Sequence, residues 1–139
     1  LDFATALGAR TTIQAGPSVR RLVQEATDGG AHLTIDAFGS VQTCLDAVAC
    51  LRPRGRHVQV GLMPGGPAPI PMGRVLAQEL EIVGSHGLAA HFYADLLALV
   101  ADGTLRPDLL VTREINLDEA AKAIEDVGQV SGVTVVTRC

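Results

Sequence analysis

The chain has 139 residues, enough for one domain with a sizeable core. Hydrophobic residues make up 47% of it and charged residues 19%, which argues against disorder. The net charge of −4 leaves no basic surface for nucleic acid or an anionic membrane. No apolar run reaches the ~20 residues of a membrane span. We therefore expect neither a nucleic acid nor a membrane as a partner.

The first residues already have the pattern of a helix. Phe3, Ala6 and Leu7 share one helical face, and Gly8 stands where a C-terminal cap would. Because the chain begins with Leu1 and not with Met, and begins inside this helix, we expect it to be a piece of a longer protein.

The three cysteines indicate a reducing environment. Cys44, Cys50 and Cys139 are odd in number, and no pair has the spacing of metal ligands. Cys44 lies on an apolar helical stripe, which predicts that it packs in the core. This usage favours a cytoplasmic protein.

Short β-prone runs alternate with helical runs along the chain. The predicted strands are Thr11–Gln14, His32–Ala37, Arg56–Val60, Leu80–Ser85, a run within 109–115, and Val133–Thr137. The predicted helices begin near Pro17, Ser40, Met72, His91 and Asn116. This alternation is typical of βαβ units, which form a parallel sheet with helices on both faces.

Charged and imidazole side chains near the third strand are predicted to be solvent-exposed. The "RPRGR" segment should end the second long helix, and Arg52, Arg54 and Arg56 should form a solvated corner. His32 and His57 lie at the starts of strands and are predicted to be exposed and structural.

Three strand ends share small residues. "DAFGS" (36–40), "VGLMP" (60–64) and "GSHG" (84–87) each place glycine just past a β run. In open α/β sheets, ligands bind beyond the carboxyl ends of the strands, where glycine permits close approach of a ligand. The alternative is that βα turns simply favour glycine. Asp36 is predicted to cap nearby backbone N–H groups.

At these residues the sequence resembles a known family. "LTIDAFGSVQTCLDAVACLRPRGRHVQVGL", "RVLAQELEIVGSHG" and "LVTREINLDEAAKAIEDV" are similar, in this order, to the coenzyme domain of the medium-chain dehydrogenase/reductase superfamily, and most of all to its zinc-binding alcohol dehydrogenase branch. The resemblance implies an α/β fold: the C-terminal part of a Rossmann-type doubly wound parallel sheet without its first two strands, followed by a helix–strand segment that returns to the catalytic domain. Residues 1–90 would be a partial dinucleotide-binding domain and residues 91–139 the bridging segment.

The resemblance also implies which residues contact NAD or NADP. One group would lie against the adenosine or nicotinamide-ribose side, a second would hold the nicotinamide ring and its carboxamide through the backbone, and a third would close on the same ring. These three groups are, in the same order, Ala37, Phe38 and Gly39; Val60, Gly61 and Leu62; and Ser85, His86 and Gly87.

Several parts of such an enzyme are missing from this sequence. There is no G-x-G-x-x-G turn for the pyrophosphate and no residue that selects NAD or NADP. The family's zinc ligands belong to an N-terminal domain, so we expect no zinc ligand and no catalytic residue in this chain. His86 and His91 are five residues apart, a spacing that disfavours a helical metal site, and His86 is predicted to lie next to the cofactor.

The family's strand order, 3-2-1-4-5-6, predicts which strands find partners here. The strands at His32–Ala37, Arg56–Val60 and Leu80–Ser85 should pair with one another. Thr11–Gln14 should lack a neighbour, and His32–Ala37 should expose an unpaired edge. By resemblance, the Leu80–Ser85 strand would join two subunits of a homo-oligomer.

Three functions are compatible with the sequence. The first is hydride transfer between NAD(P) and a small alcohol or aldehyde, with zinc as the Lewis acid in the missing part; the chain by itself would be inactive. The second is a zinc-free quinone or enoyl reductase of the same superfamily. The third is a non-catalytic, truncated module that acts only in subunit pairing.

Overall fold

The structure is a computed structural model that describes residues 1–138. Cys139, counted among the cysteines above, lies outside the described residues. The chain forms two compact units: a first unit of residues 9–87 with Leu1, and a second unit of residues 2–8 with those from 88 onward. The assignment of a cofactor-binding domain and a bridging segment, divided at residues 90 and 91, stays a prediction.

Each unit contains one sheet and its helices. The elements of the first unit are α2 (Val19–Ala26), β1 (Ala31–Asp36), α3 (Val41–Ala49), β2 (Leu51–Gln59), α4 (Met72–Ala77) and β3 (Glu81–Gly84). The elements of the second unit are α1 (Asp2–Ala6), α5 (Tyr93–Ala101), β4 (Val111–Asn116), α6 (Ala120–Glu125) and β5 (Val133–Arg138).

The sheet of the first unit is parallel throughout. Its strand order is β1-β2-β3, and Ile35, Val58 and Val83 lie side by side across it. The prediction that these three strands pair with one another is confirmed. The α/β class predicted from the alternation of strands and helices is confirmed with it.

β2 is longer than predicted, because it also contains the "RPRGR" segment that was expected only to end the helix before it. β2 begins at Leu51, but its pairing shifts: Ala31 pairs with Leu51, whereas Leu33 pairs with Arg56. β2 therefore holds three extra residues in this interval (5 − 2), and Arg54 has a φ of 61° there. The bulge contains Pro53 and Gly55, two residues that were expected to lie in an irregular segment before the strand.

The strand predicted at Thr11–Gln14 is wrong, since these residues form neither helix nor strand. A strand needs a neighbour to satisfy its backbone N–H and C=O groups, and no described segment pairs with this one. β1 is therefore an edge of the sheet, as predicted. Its Leu33 and Ile35 are 51% and 60% exposed.

The helices α3 and α4 pack on one face of this sheet, not on both. Val48 of α3 and Val75 of α4 share one hydrophobic cluster with Leu51 and Leu80. The connections β1–α3–β2 and β2–α4–β3 cross the sheet in the same direction, so right-handed crossovers place both helices on the same side. The expectation of helices on both faces is therefore not met within this unit.

The caps predicted at Ser40 and Asn116 are each formed by a reciprocal pair of hydrogen bonds. The Ser40 hydroxyl accepts the Thr43 N–H at 3.0 Å, and the Thr43 hydroxyl accepts the Ser40 N–H at 3.1 Å, which starts α3. In the second unit, Asn116 and Glu119 exchange the same pair of bonds, each at 3.1 Å. A short 3-10 turn then leads into α6, and β4 pairs with β5 in parallel.

Across residues 1–138, every helix is too short or too polar to cross a bilayer.

Candidate functional site

The three predicted binding segments lie at one edge of the first unit's sheet. We call Ala37–Phe38–Gly39 the first corner, Val60–Gly61–Leu62 the second corner and Ser85–His86–Gly87 the third corner. Each follows the carboxyl end of one of three parallel strands, β1, β2 and β3. The Ser85 N–H donates to the Gln59 carbonyl at 2.9 Å, which ties the third corner to the end of β2.

The first and second corners touch through their backbones. A Cβ added to Gly39 would lie 2.6 Å from the Gly61 carbonyl carbon, and a Cβ added to Gly61 would lie 2.6 Å from the Phe38 carbonyl carbon. Glycine at these two positions lets one corner approach the other. Two reasons for these glycines were expected from the sequence: close approach of a ligand, or the preference of βα turns for glycine. The contact between the two corners is a third reason.

A cleft of about 690 Å³ opens beside this contact and is bordered by both corners. It is lined by the whole first corner, the start of α3 at Ser40–Gln42, Gly61 and Leu62, and the following loop at Pro64 and Gly65. Its size is in the range of small-molecule and cofactor sites. Val60 and the third corner do not line it, although they lie at the same edge of the sheet.

The buried side chain of Asp36 binds the backbone of the first corner. Its side chain is 4% exposed, and Oδ1 accepts the N–H groups of Phe38 and Gly39, both at 3.0 Å. Its own carbonyl accepts the N–H groups of Val60 and Gly61 at 2.9 and 2.8 Å. The predicted capping role of Asp36 is confirmed, and the residue also holds the second corner.

The hydrogen bonds around Asp36 favour its charged form. Burial raises the pKa of this carboxyl, but the Gly39 N–H, Gln59, the Thr43 hydroxyl and the Phe38 N–H together lower it below the ordinary value. The site therefore carries a buried negative charge whose neighbours donate to it.

A buried polar network behind the corners was missed by the sequence analysis. Gln59 Nε2 donates to Asp36 Oδ2 at 3.0 Å and to the Gly61 carbonyl at 2.9 Å. His57 lies 3.2 Å from Gln59 Oε1 through Nε2 and 3.0 Å from the Thr34 hydroxyl through Nδ1. A signal was present in the sequence, since "HLTIDA" and "HVQV" each alternate polar and apolar residues, which places the polar ones on one face.

His57 is fully buried, so the prediction that it is exposed is wrong. It lies inside β2, under α3, with the Cys44 sulfur 4.0 Å from Nε2. Because the predicted strand began only at Arg56, His57 was placed at the start of the strand, where a side chain is commonly exposed. Cys44 itself is buried as predicted.

Three main-chain groups at the second and third corners take no part in the backbone–backbone hydrogen bonds that residues 1–138 form outside the helices and strands. They are the Val60 C=O, the Leu62 N–H and the His86 N–H. A carboxamide offers one acceptor and two donors, so these groups suit it chemically. The nicotinamide half of a dinucleotide therefore fits the residues present.

The arginines of β2 do not form a single solvated corner. Arg52 donates to the carbonyls of Gly30 and Thr27, both at 2.7 Å, and so holds the loop after α2. Arg54 and Arg56 are exposed as expected and pair with Glu79 and Glu81. No anion-binding arrangement follows from these contacts.

No metal centre is formed by the part of the chain that the structure describes. Groups of three or more His, Cys, Asp or Glu side chains able to hold an ion are absent from residues 1–138. These residues therefore do not fit a catalytic zinc.

A parallel sheet with helical crossovers and a cleft beyond the strands' carboxyl ends defines an α/β fold of the Rossmann type. A family model described as zinc-binding dehydrogenase matches residues 1–102. The chain belongs to the zinc-binding dehydrogenase family, as the sequence resemblance indicated.

Individual relatives agree with this family. A probable D-xylulose reductase A of Emericella nidulans is 30% identical over 96% of this chain and 38% of its own length. An alcohol dehydrogenase of Thermus sp. ATN1 is 31% identical with a TM-score of 0.83, over 97% of this chain and 40% of that one. An NAD-dependent alcohol dehydrogenase is 26% identical with a TM-score of 0.87, over 100% of this chain and 41% of that one. The chain thus spans about two fifths of the length of these relatives.

Proposed function

We propose that this chain supplies the nicotinamide-binding wall of an NAD- or NADP-dependent alcohol dehydrogenase. The observation that carries the proposal is the cleft bordered by the first and second corners, with these main-chain groups of the second and third corners beside it. The backbone would bind the carboxamide and orient the ring, while the apolar lining at Phe38 and Leu62 would exclude water from one side of it.

The chemistry of such an enzyme requires groups beyond those in this chain. When bound, zinc would act as a Lewis acid on the alcohol oxygen, and the cofactor would accept or give the hydride. We propose that the zinc ligands and the pyrophosphate turn lie elsewhere in a longer protein. The family match to zinc-binding dehydrogenases favours this over the zinc-free reductase.

The substrate class follows from the relatives' names. They include a sorbitol dehydrogenase and a D-arabitol-phosphate dehydrogenase, named for sugar alcohols, and a D-xylulose reductase, named for a ketose. We propose a small alcohol or polyol, oxidised to the aldehyde or ketone, for the longer protein, and a cytoplasmic location.

We also propose that two copies pair through β3. β3 is an edge of its sheet, and its four residues are exposed. An open parallel edge with Ile82 and Val83 on its two faces offers backbone groups to a second strand. The exposed edge of β3 would also suit the non-catalytic alternative, but that alternative gives the cleft no role.

The proposed function is tested by competition between NADH and each of its two halves, the nicotinamide and the adenosine mononucleotide. NADH is titrated into the chain and followed by nicotinamide fluorescence, and the bound NADH is then displaced with nicotinamide mononucleotide or with AMP. Because the pyrophosphate turn is missing, we expect weak binding, and we expect nicotinamide mononucleotide to displace NADH at lower concentration than AMP.

Two outcomes would contradict the proposal. Equal or better displacement by AMP would mean that the cleft binds the adenosine half. No NADH binding at any concentration would favour the pairing-only module. Reading the coding frame upstream of Leu1 adds an independent check, since a Gly-rich turn and a Cys plus a His-Glu pair should appear there.

A further inference from the structure

We propose that Gln59 is a positioning residue: its side-chain amide sets the separation of the first and second corners, and thereby the width of the cleft that they border. The inference rests on the proposed function, since the cleft is the place where the nicotinamide would bind. Gln59 does not itself line the cleft; it acts through Asp36, which holds the first corner, and through Gly61, which is part of the lining.

The side-chain nitrogen of Gln59 joins the anchors of both corners. One hydrogen goes to Asp36 Oδ2, the carboxylate that caps the first corner, and the other goes to the carbonyl of Gly61 in the second corner. The two bonds measure 3.0 and 2.9 Å. Since both partners can only accept hydrogen bonds, a side chain with two donors on one atom is needed to bridge them.

The two acceptors fix the orientation of this amide, and its oxygen then fixes the tautomer of His57. Both hydrogens of Gln59 Nε2 are used, so Oε1 must accept, which assigns a proton to His57 Nε2 at 3.2 Å. The other ring nitrogen, Nδ1, then accepts from the Thr34 hydroxyl at 3.0 Å. A flipped amide would place the Gln59 oxygen against two acceptors, Asp36 Oδ2 and the Gly61 carbonyl, so only one orientation satisfies the network.

The backbone contact between the corners leaves little tolerance for displacement. The position of a Cβ on Gly39 would lie 2.6 Å from the Gly61 carbonyl carbon, so the two backbones are already close, and hydrogen bonds hold them in this arrangement. The Asp36 carbonyl supplies two of these bonds at the base of the second corner. The Gln59 amide supplies the one that reaches the Gly61 carbonyl itself.

The test compares the same substitution at two glutamines. Gln59→Leu keeps the approximate volume and removes both donors. Gln78→Leu, at the end of α4 in the same unit, is the matched control, because the Gln78 side-chain oxygen is buried without a hydrogen bond. Gln59→Asn is a second variant that keeps the amide but is one carbon too short to reach both acceptors. Each variant is made in the full 139-residue chain.

Two readouts are taken on every variant: hydrogen exchange of the Gly39 and Gly61 amides relative to that of Val58 in the β2 ladder, and the NADH dissociation constant from fluorescence. We expect Gln59→Leu and Gln59→Asn to raise the relative exchange by about tenfold or more and to weaken NADH binding by about tenfold, which corresponds to the loss of one or two hydrogen bonds. Gln78→Leu should change neither readout.

The failures can be told apart. Unchanged exchange at Gly39 and Gly61 in both Gln59 variants would overturn the positioning role, as would faster exchange with unchanged NADH affinity. If the unmodified chain does not bind NADH, the proposed function fails, and the exchange readout then decides whether Gln59 holds the corners.

Discussion

Gly39 and Gly61 face each other at the ends of two neighbouring strands, and each occupies the space that a side chain on the other would need. Gly39 has a φ of +85°, so two constraints act on it, whereas Gly61 is constrained by the contact alone. The contact joins the corners that border the cleft. The fold and the candidate site therefore depend on the same two residues.

Adding a methyl group at either position should destabilise the first unit. We expect Gly61→Ala to lower the free energy of unfolding by about 2 kcal/mol or more through steric overlap, and Gly39→Ala to lower it further because of its positive φ. Denaturant unfolding measures both. Gly65→Ala is the control, since no atom lies within 4 Å of its added Cβ, and it should change stability little. Equal stabilities for the three variants would contradict the close contact.

Asp36 should make stability depend on pH. The hydrogen bonds that lower its pKa outweigh burial, so its folded-state pKa lies below the ordinary value of 3.8. A carboxyl with a depressed pKa stabilises the folded state above its unfolded pKa, and this contribution is lost as the pH falls through the folded value. We expect the free energy of unfolding to decline below about pH 4.

Asp36→Asn provides the comparison for that pH profile. The amide would set donors against the Gln59 amide and the Thr43 hydroxyl, so we expect a loss of about 1–3 kcal/mol at neutral pH and a shallower decline on acidification. Asp102 and Asp108, whose pKa values are also lowered by hydrogen bonds, contribute alike to both profiles. Identical slopes for the two proteins would show that Asp36 is not the group responsible.

Cys44 and Cys50 should be unreactive in the folded chain. They are 2% and 4% exposed. Burial raises the pKa of both thiols, and a nearby carboxylate, Asp36 for one and Asp46 for the other, raises it further. In a Cys139→Ser chain, we expect a thiol reagent at neutral pH to label neither residue until denaturant unfolds the first unit. Rapid labelling under native conditions would contradict the buried placement.

The pairing proposed for β3 can be tested at Gly84. The Ser85 N–H points toward β2, and successive residues alternate, so the Gly84 N–H points outward from the edge. Gly84→Pro removes this donor, whereas Gly84→Ala keeps it and adds a methyl group in open space. We expect light scattering after size exclusion to give a dimer for the unmodified chain and for Gly84→Ala, and a monomer for Gly84→Pro. A dimer in all three would place the contact elsewhere.

The order of strands and helices was predictable because hydrophobic periodicity and glycine turns specify it locally. The caps at Ser40 and Asn116 were predictable for the same reason. Two consequences of long-range pairing were not. Thr11–Gln14, which the family's strand order left without a neighbour, forms no strand, and the β2 bulge depends on pairing with β1, which no local pattern near Pro53 reports.

The position of the candidate site could be predicted from the sequence, but the hydrogen-bond network behind it could not. The resemblance and the strand ends placed the three corners at one edge of the sheet, as the structure shows. The network of Thr34, His57 and Gln59 joins residues far apart in the sequence, so its members could be placed on a strand face but not joined into one chain of hydrogen bonds.

The most direct test of the central claim, that the corners bind the nicotinamide end of the cofactor, is a two-dimensional amide NMR titration of the chain with nicotinamide mononucleotide. We expect saturable shifts concentrated at residues 37–39, 60–62 and 85–87. Shifts centred on the second unit, or the absence of shifts at these corners at millimolar ligand, would contradict it.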